Sequence, residues 1–360
     1  MSGNAPTSMP VTLLGGGCAS LSLAARADEF SGHHFTVIDP ETHQPADHIW
    51  GFWDMPWLGR THDIIRKRWF KWNIISHDIS VTAASQSHPY CALNRHSWID
   101  KCRQQAIGNG VQFKNTQKAG QNILDSRPPA IPDGMMLQHF LGYEITADHS
   151  VFDDTTAILM DFRCDQSNGM HFIYCLPFSD RHALVESTIF SSQTVAEAFY
   201  AAAIKDYLHD IVGVNSFSIM RREQGVIPLG ILKPRDPNLP GIGGNGGAIR
   251  PSSGYAFSFI QKQIEQIQQN SMPGQQLIPA CPHSRFDLWM DNIFLAVIRQ
   301  RPSLAPTIFT AMAQQLTGDE FALFLSGEAD PQIYAKVILA MPKMPFLSAL
   351  FARTPPRPAA

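Results

Sequence analysis

Pro10-Val11-Thr12-Leu13-Leu14-Gly15-Gly16-Gly17-Cys18-Ala19-Ser20 is the stretch on which the fold turns. An apolar run (Val11, Leu13, Leu14) meets three glycines and passes into an alanine-rich segment, which predicts strand, tight turn and helix in that order. A second strand, Phe35 to Ile38, ends at Asp39. Such a handover suits a pyrophosphate. Glycines let backbone approach the anion, and a helix start offers free N–H groups and the positive end of its dipole. Gly15 and Gly17 take the first two positions of a Gly-x-Gly-x-x-Gly fingerprint, with Gly16, Cys18 and Ala19 beside them, and Ser20 stands at the third. Asp39 follows Gly15 by 24 residues, where an acid can bind both hydroxyls of an adenosine ribose. The acid favours FAD or NAD over a 2′-phosphorylated cofactor. FAD is preferred because the fingerprint opens the chain and a second glycine cluster, Gly241 to Gly247, can meet the flavin end. Read alone, that cluster is equally a turn.

The 360 residues carry a formal net charge of -3, with 44% hydrophobic and 16% charged side chains. No polybasic surface is present, so no nucleic-acid partner is expected. Charge is sparse against the roughly 25% of soluble domains, which points to apolar surface or a greasy ligand. Cys18, Cys91, Cys102, Cys164, Cys175 and Cys281 stand apart with no Cys-x-x-Cys pair, and reduced, buried thiols are expected. Met1 to Ser8 shows no leader, and no stretch reaches about 18 uninterrupted apolar residues, so neither secretion nor a membrane span is expected. The histidines lack metal-ligand spacing, and His33-His34 reads as a solvated loop pair. No Gly-x-Ser-x-Gly elbow supports hydrolase chemistry.

Farther along, 48–75 is dense in tryptophan and phenylalanine and reads as a loop and helix that either pins the core or lines a cavity. Alternation between Phe140 and Phe190 predicts antiparallel strands at Ile158 to Arg163, His171 to Leu176 and Ala183 to Phe190. A helix is expected over 195–212, a strand over 217–232 interrupted at Gly225 and Pro228, a helix over 256–269, and helices from Arg285 onward. Pro355 to Ala360 reads as a loose tail. The segment 337–351 reads as a broken core helix or a lipid-docking element.

Several blocks resemble the bacterial lycopene β-cyclases over most of the chain. They are Ile158-Leu159-Met160-Asp161, Asp165-Gln166-Ser167-Asn168-Gly169, Phe172-Ile173-Tyr174-Cys175-Leu176-Pro177 and Leu184-Val185-Glu186-Ser187-Thr188. His48, Trp50 and Phe52 match the family's His-x-Trp-x-Phe segment, and Glu223-Gln224-Gly225-Val226-Ile227-Pro228 its Glu-Gln-Gly-x-x-Pro motif. Gly247-Ala248-Ile249-Arg250-Pro251-Ser252-Ser253-Gly254-Tyr255 resembles its Gly-x-x-His-Pro-x-Thr-Gly-Tyr motif.

The resemblance implies an α/β fold of flavin-hydroxylase type. A Rossmann-like, discontinuous FAD-binding domain (1–135 and 215–270) would join an antiparallel β substrate domain (136–214) and a helical C-terminal part (271–360). It implies FAD contacts from Gly15, Gly16, Gly17, Cys18, Ala19, Ser20, Asp39, Asp125, Gly244, Gly247, Pro251, Gly254 and Tyr255. His48, Trp50, Phe52, Trp53 and Tyr174 would bind substrate. The implied reaction uses reduced FAD, with NAD(P)H as electron source, to cyclise the ψ ends of lycopene without net redox change. The setting is cytoplasmic, peripheral on the inner membrane face, with a carotenoid or other polyene and membrane lipid as partners. Three departures stand out: Ser187 where relatives carry a second acid, Arg250 for the motif's His, and Asp125-Ser126-Arg127-Pro128 for Asp-Gly-Arg-Gly.

Cyclisation needs a proton delivered to an alkene, a carbocation held during ring closure, and a proton removed. A carboxylic acid buried among apolar groups can serve as acid and then base. Glu186, sharing a strand face with Leu184 and Thr188, is the first candidate and Glu223 the second. Each is alternatively a surface carboxylate paired with Arg, in the case of Glu223 with Arg221 or Arg222. Trp50, Phe52 and Trp53 can add cation–π attraction of about 0.5–2 kcal/mol each. The competing functions are a redox flavoenzyme of monooxygenase or halogenase type and a non-catalytic polyene-binding flavoprotein. Trp69-Phe70-Lys71-Trp72 departs from the halogenases' Trp-x-Trp-x-Ile-Pro spacing.

Overall fold

The computed structural model describes residues 8–40, 46–116 and 122–351; the tail at Pro355 to Ala360 and most of the opening segment lie outside them. β1 (Met9–Leu14) buries Val11, Leu13 and Leu14, α1 (Cys18–Ala24) follows the glycine turn, and β2 (His33–Ile38) runs parallel to β1. The two histidines lie inside β2 rather than in a loop. Strand alternation sends them to opposite faces, so His33 is buried with Nε2 2.7 Å from the Gln275 carbonyl oxygen while His34 is exposed.

No α-helix forms over 48–75. The chain makes β3 (Ile49–Trp53), a 3-10 turn (Pro56–Thr61), β4 (Lys67–Trp69) and β5 (Lys71–Ile75). Tryptophan and phenylalanine fit a half-buried pleated surface, and pairing with distant strands overrides the local reading. β6 (Ser80–Ala84), β7 (Tyr90–Asn94), α2 (Arg95–Gly108), β8 (Gln112–Lys114) and β9 (Ile123–Asp125) follow. A parallel sheet in the order β8-β2-β1-β9 carries the glycine turn, and β3-β7-β4 form a small antiparallel sheet beside it.

The larger sheet uses β10 (Met136–Ala147), β11 (Thr156–Asp161), β12 (Met170–Pro177), β13 (His182–Ser191) and, after α3 (Glu197–Asp206), β14 (Phe217–Leu229). Its order is β14-β10-β13-β12-β11-β5-β6, with β11 and β5 parallel and the other neighbours antiparallel. Two segments grouped by sequence with the dinucleotide unit thus belong to this sheet, 71–84 at one edge and 217–229 at the other. Partner choice across a sheet is long-range and leaves no local pattern. Gly225 and Pro228 lie within β14, where an edge strand tolerates proline. The helix expected over 195–212 is α3 followed by a π-helical turn, Tyr207–Val212, ended by Gly213 at φ 83°.

α4 (Phe257–Gln269) returns to the parallel sheet and packs on α1. α5 (Arg285–Gln300), α6 (Ala305–Gln315), α7 (Gly318–Leu325), α8 (Pro331–Ala340) and α9 (Lys343–Phe351) form the helical layer. Side-chain caps start three of them: Ser284 for α5, Thr317 with Glu320 in a capping box for α7, and Asp330 before Pro331 for α8. No single described helix is long and apolar enough to cross a membrane.

Candidate active site

The turn after β1 is shaped by contacts that leave no room for side chains. Gly15 has φ +93°, and a Cβ on Gly16 would lie 1.9 Å from Asp39 Oδ2, so the acid at the end of β2 rests on the turn itself. A Cβ on Gly17 would meet nothing within 4 Å, and α1 begins with no side-chain cap and no acid in its first turn. This open space before unpaired N–H groups suits a pyrophosphate. Gln138 Oε1 and Ser253 Oγ are buried without a hydrogen-bond partner on the cavity wall beside Gly254, as an incoming polar ring edge would require. These residues fit a flavin dinucleotide.

The cluster 241–247 packs under the same turn. A Cβ on Gly243 would fall 2.6 Å from the Ala19 Cβ, and Gly241 bridges to Asp125 at the edge of the parallel sheet. Gly244 sits against Ile249, and Gly247 (φ +77°) against Cys281. Asp125 is fully buried and holds Arg127 through both oxygens, at 2.8 and 2.9 Å. Cys91, Cys102 and Cys175 are buried as expected, whereas Cys18 and Cys164 are half-buried and Cys281 is exposed.

Two departures from family pattern compensate each other. Ser20 donates to the Ser126 hydroxyl at 2.7 Å, and Ser126 in turn reaches the Leu14 carbonyl at 2.8 Å. Serines at the two glycine positions tie α1 to the end of β9. Arg250 is a third case: it is 1% exposed and held by Asp291 at 3.2 Å, Asp287 at 3.7 Å and the Phe324 carbonyl. Acids on α5 answer the positive charge, so Arg250 anchors the 247–255 loop to the helical layer.

Across the larger sheet, register sets Tyr174 opposite Glu186, Glu186 opposite Gly142, and Gly142 opposite Glu223. Residues in such a row share one face. Gly142 lets the acids converge, since a Cβ there would sit 3.1 Å from Glu223 Cγ and 3.5 Å from Glu186 Cβ. Both acids are buried, at 8% exposure for Glu186 and 3% for Glu223, so neither is a surface carboxylate. Glu186 accepts the Thr188 hydroxyl; Glu223 Oε2 accepts the Ile49 N–H at 3.1 Å and meets Arg221 Nη1 at 2.8 Å. Burial, and then the charge of Glu223, raise the Glu186 pKa. Burial raises Glu223 also, against the opposing pull of Arg221 and the Ile49 N–H. Arg222 pairs instead with Glu197 at the surface.

Ser187 points to the other side of the sheet. Its hydroxyl lies 2.8 Å from His171 Nε2, and both residues are fully buried on the face that α3 covers. An acid at this position would not reach the Glu186 face, so the missing second acid removes nothing from the cavity. Glu223, contributed by another strand, supplies the second carboxylate of the row.

One cavity of about 510 Å³ joins these parts: Cys18 at the start of α1, Glu186 and Thr188 on β13, and Met312, Val337 and Phe346 in the helical layer line it. His48, Trp50, Trp53, Tyr174 and Tyr255 are wall residues as well. Phe52 is not. It is 1% exposed and packs on Phe257, ring centroids 5.1 Å apart, and Phe257 takes the wall position. Glu223 lies just behind the wall, whose surface there is Ile49, Gln224 and Gly225. Sequence reasoning missed Tyr90, whose hydroxyl lies 2.8 Å from that of Tyr174 and 3.4 Å from that of Tyr255. A Cβ on Gly51 would collide with Tyr90 and Tyr174 at 2.2 and 2.4 Å, and that glycine was the available signal. Trp69 and Trp72 are fully buried. Among the described residues no cluster of His, Cys, Asp or Glu can hold a metal.

The fold is shared with flavoenzymes. A geranylgeranyl bacteriochlorophyll reductase-like protein from Thermoplasma acidophilum superposes with TM-score 0.59 at 12% identity, over 96% of this chain and 99% of that one. The flavin-dependent brominase Bmp2 gives 0.59 at 13% identity, over 95% and 98%. By sequence, lycopene beta-cyclase of Pantoea ananas is 24% identical over 272 residues, 71% of each chain. The chloroplastic lycopene beta cyclase of Arabidopsis thaliana is 24% identical over 325 residues, 74% of this chain and 63% of that protein. A family model described as lycopene cyclase protein matches residues 10–351, and the chain belongs to that family.

Proposed function

We propose that the protein cyclises the ψ end of lycopene or a related carotenoid to a β-ionone-type ring, with Glu186 as the acid. The observation that carries this reading is the buried Glu186 carboxyl in a mostly apolar cavity that also reaches Cys18 at the start of α1. Burial keeps Glu186 protonated at neutral pH, so it can protonate the terminal alkene. The resulting carboxylate accepts a proton from the carbon next to the cation once the ring has closed. Trp50 and Trp53 face the cavity and stabilise positive charge by cation–π attraction of about 0.5–2 kcal/mol each. Met312, Val337 and Phe346 of the helical layer give the cavity an apolar wall that would disfavour water able to quench a cation. FAD in its reduced form, with NAD(P)H as electron source, would add negative charge beside the same cavity.

The protein would work at the cytoplasmic face of a membrane as a peripheral protein. α8 and α9, bent by 105° at their junction, expose Leu339 (68%), Met344 (74%) and Phe351 (84%) close to cavity residues Val337 and Phe346. A lipid-borne polyene can enter from that side.

The test is expression in lycopene-accumulating cells, with product chromatography and flavin content of the purified protein. A cyclic carotene is expected, with at least a hundredfold loss in Glu186→Gln while flavin uptake is retained. Normal cyclisation by Glu186→Gln removes the acid assignment.

A further inference from the structure

The two carboxylates beside Gly142 are unequal. Arg221 lies on the Glu223 side of the pair, with Nη1 2.8 Å from Glu223 Oε2 and from the Asp47 carbonyl oxygen, and Nε 2.9 Å from Glu144 Oε2. Glu144 is separately held by Arg66 and by His182. Glu186 has a hydroxyl where Glu223 has a guanidinium and a backbone N–H. Two carboxylates packed across a glycine do not both ionise readily, and a cation beside one decides which keeps the charge.

We propose that Arg221 is a positioning residue that holds Glu223 as an anion behind the cavity wall, so that Glu186 keeps its proton at rest and regains one after giving it up. The role rests on the cyclase reading for its catalytic meaning, though not for the charge distribution itself. When Glu186 protonates the alkene, its O–H bond breaks and a C–H bond forms, leaving two adjacent carboxylates. Their repulsion favours breaking a C–H bond next to the cation and re-forming the Glu186 O–H bond, which restores the starting state with no proton gained or lost. Among the other ionisable groups facing the pair, the tyrosines and Glu144 supply no cation. Tyr90, Tyr174 and Tyr255 stay neutral because burial holds their hydroxyls well above 10. Glu144 stays ionised: burial opposes its charge, but Arg66 and Arg221 bring it down to about 2. His48, when charged, favours the Glu223 anion as Arg221 does.

Infrared titration of the full-length protein reads the carboxylic acid C=O stretch without substrate. Wild type at neutral pH is expected to show a buried acid band that Glu186→Gln abolishes and Glu223→Gln does not. In Arg221→Gln, Glu223 is expected to take up a proton, adding a band that the further change Glu223→Gln removes, while the Glu186 titration moves down by about one pH unit or more. Arg221→Lys, which keeps the charge, should restore the wild-type titration. A wild-type band lost in Glu223→Gln, or an unchanged titration in Arg221→Gln, overturns the proposal. The expected spectra in a protein without cyclase activity would instead overturn the functional reading alone.

Discussion

Glu186 makes the pH behaviour of this protein an expected result rather than a free parameter. Burial and the neighbouring Glu223 charge push its pKa up to about 8, so the acid form is full below that value and is lost as pH rises through it. Cyclisation should therefore fall on the alkaline side with a midpoint near pH 8, measured as initial rate across a buffer series; a flat profile to higher pH would remove Glu186 as the acid. Stability moves the same way. Between the ordinary carboxylate range and about pH 8 the folded chain holds a proton that the unfolded chain releases, so raising pH across this window costs stability. At the same residue scale, Ser187 shows how a neighbour in sequence can be remote in chemistry. One step along a strand crosses the sheet, and the hydroxyl there serves His171 under α3 instead of the cavity.

At the scale of the element, β10 does as much for the site as the strands that carry the acids. Gly142→Val would place methyl groups where Glu223 Cγ already lies 3.1 Å and Leu184 Cδ1 3.2 Å from a Cβ. Overpacking of this kind costs about 1–3 kcal/mol. Thermal melting should register that loss, and turnover should fall by more than the loss of folded protein explains, because the acids are forced apart. The strand–turn–helix unit was legible because its signals are local: apolar run, glycines, alanine-rich helix, and an acid at the end of β2. Alternation within β13 left Glu186 open between a cavity acid and a surface carboxylate, and the family resemblance of the Leu184 to Thr188 block decided for the acid. Gly142 and Tyr90 were not legible, and Arg221 was read only as a surface partner of Glu223, since their importance arises when β10, β14 and β7 find their partners. The tryptophan-rich segment misled for the same reason, its strands being chosen by distant neighbours.

At the scale of the whole molecule, the helical layer is joined to the dinucleotide unit through Arg250. Arg250→Met would leave Asp287 and Asp291 buried without their cation, an expected loss of about 3–5 kcal/mol in denaturant unfolding. On the outer side of that layer, Leu339→Glu with Met344→Glu should abolish co-sedimentation with lipid vesicles while leaving the melting temperature unchanged, since both side chains are exposed. The joining of Tyr174, Glu186, Gly142 and Glu223 occurs at one register of one sheet. Under the proposed cyclisation a symmetrical polyene would meet a workbench with a single vice, and a second end could be dressed only after the molecule had backed out and turned about.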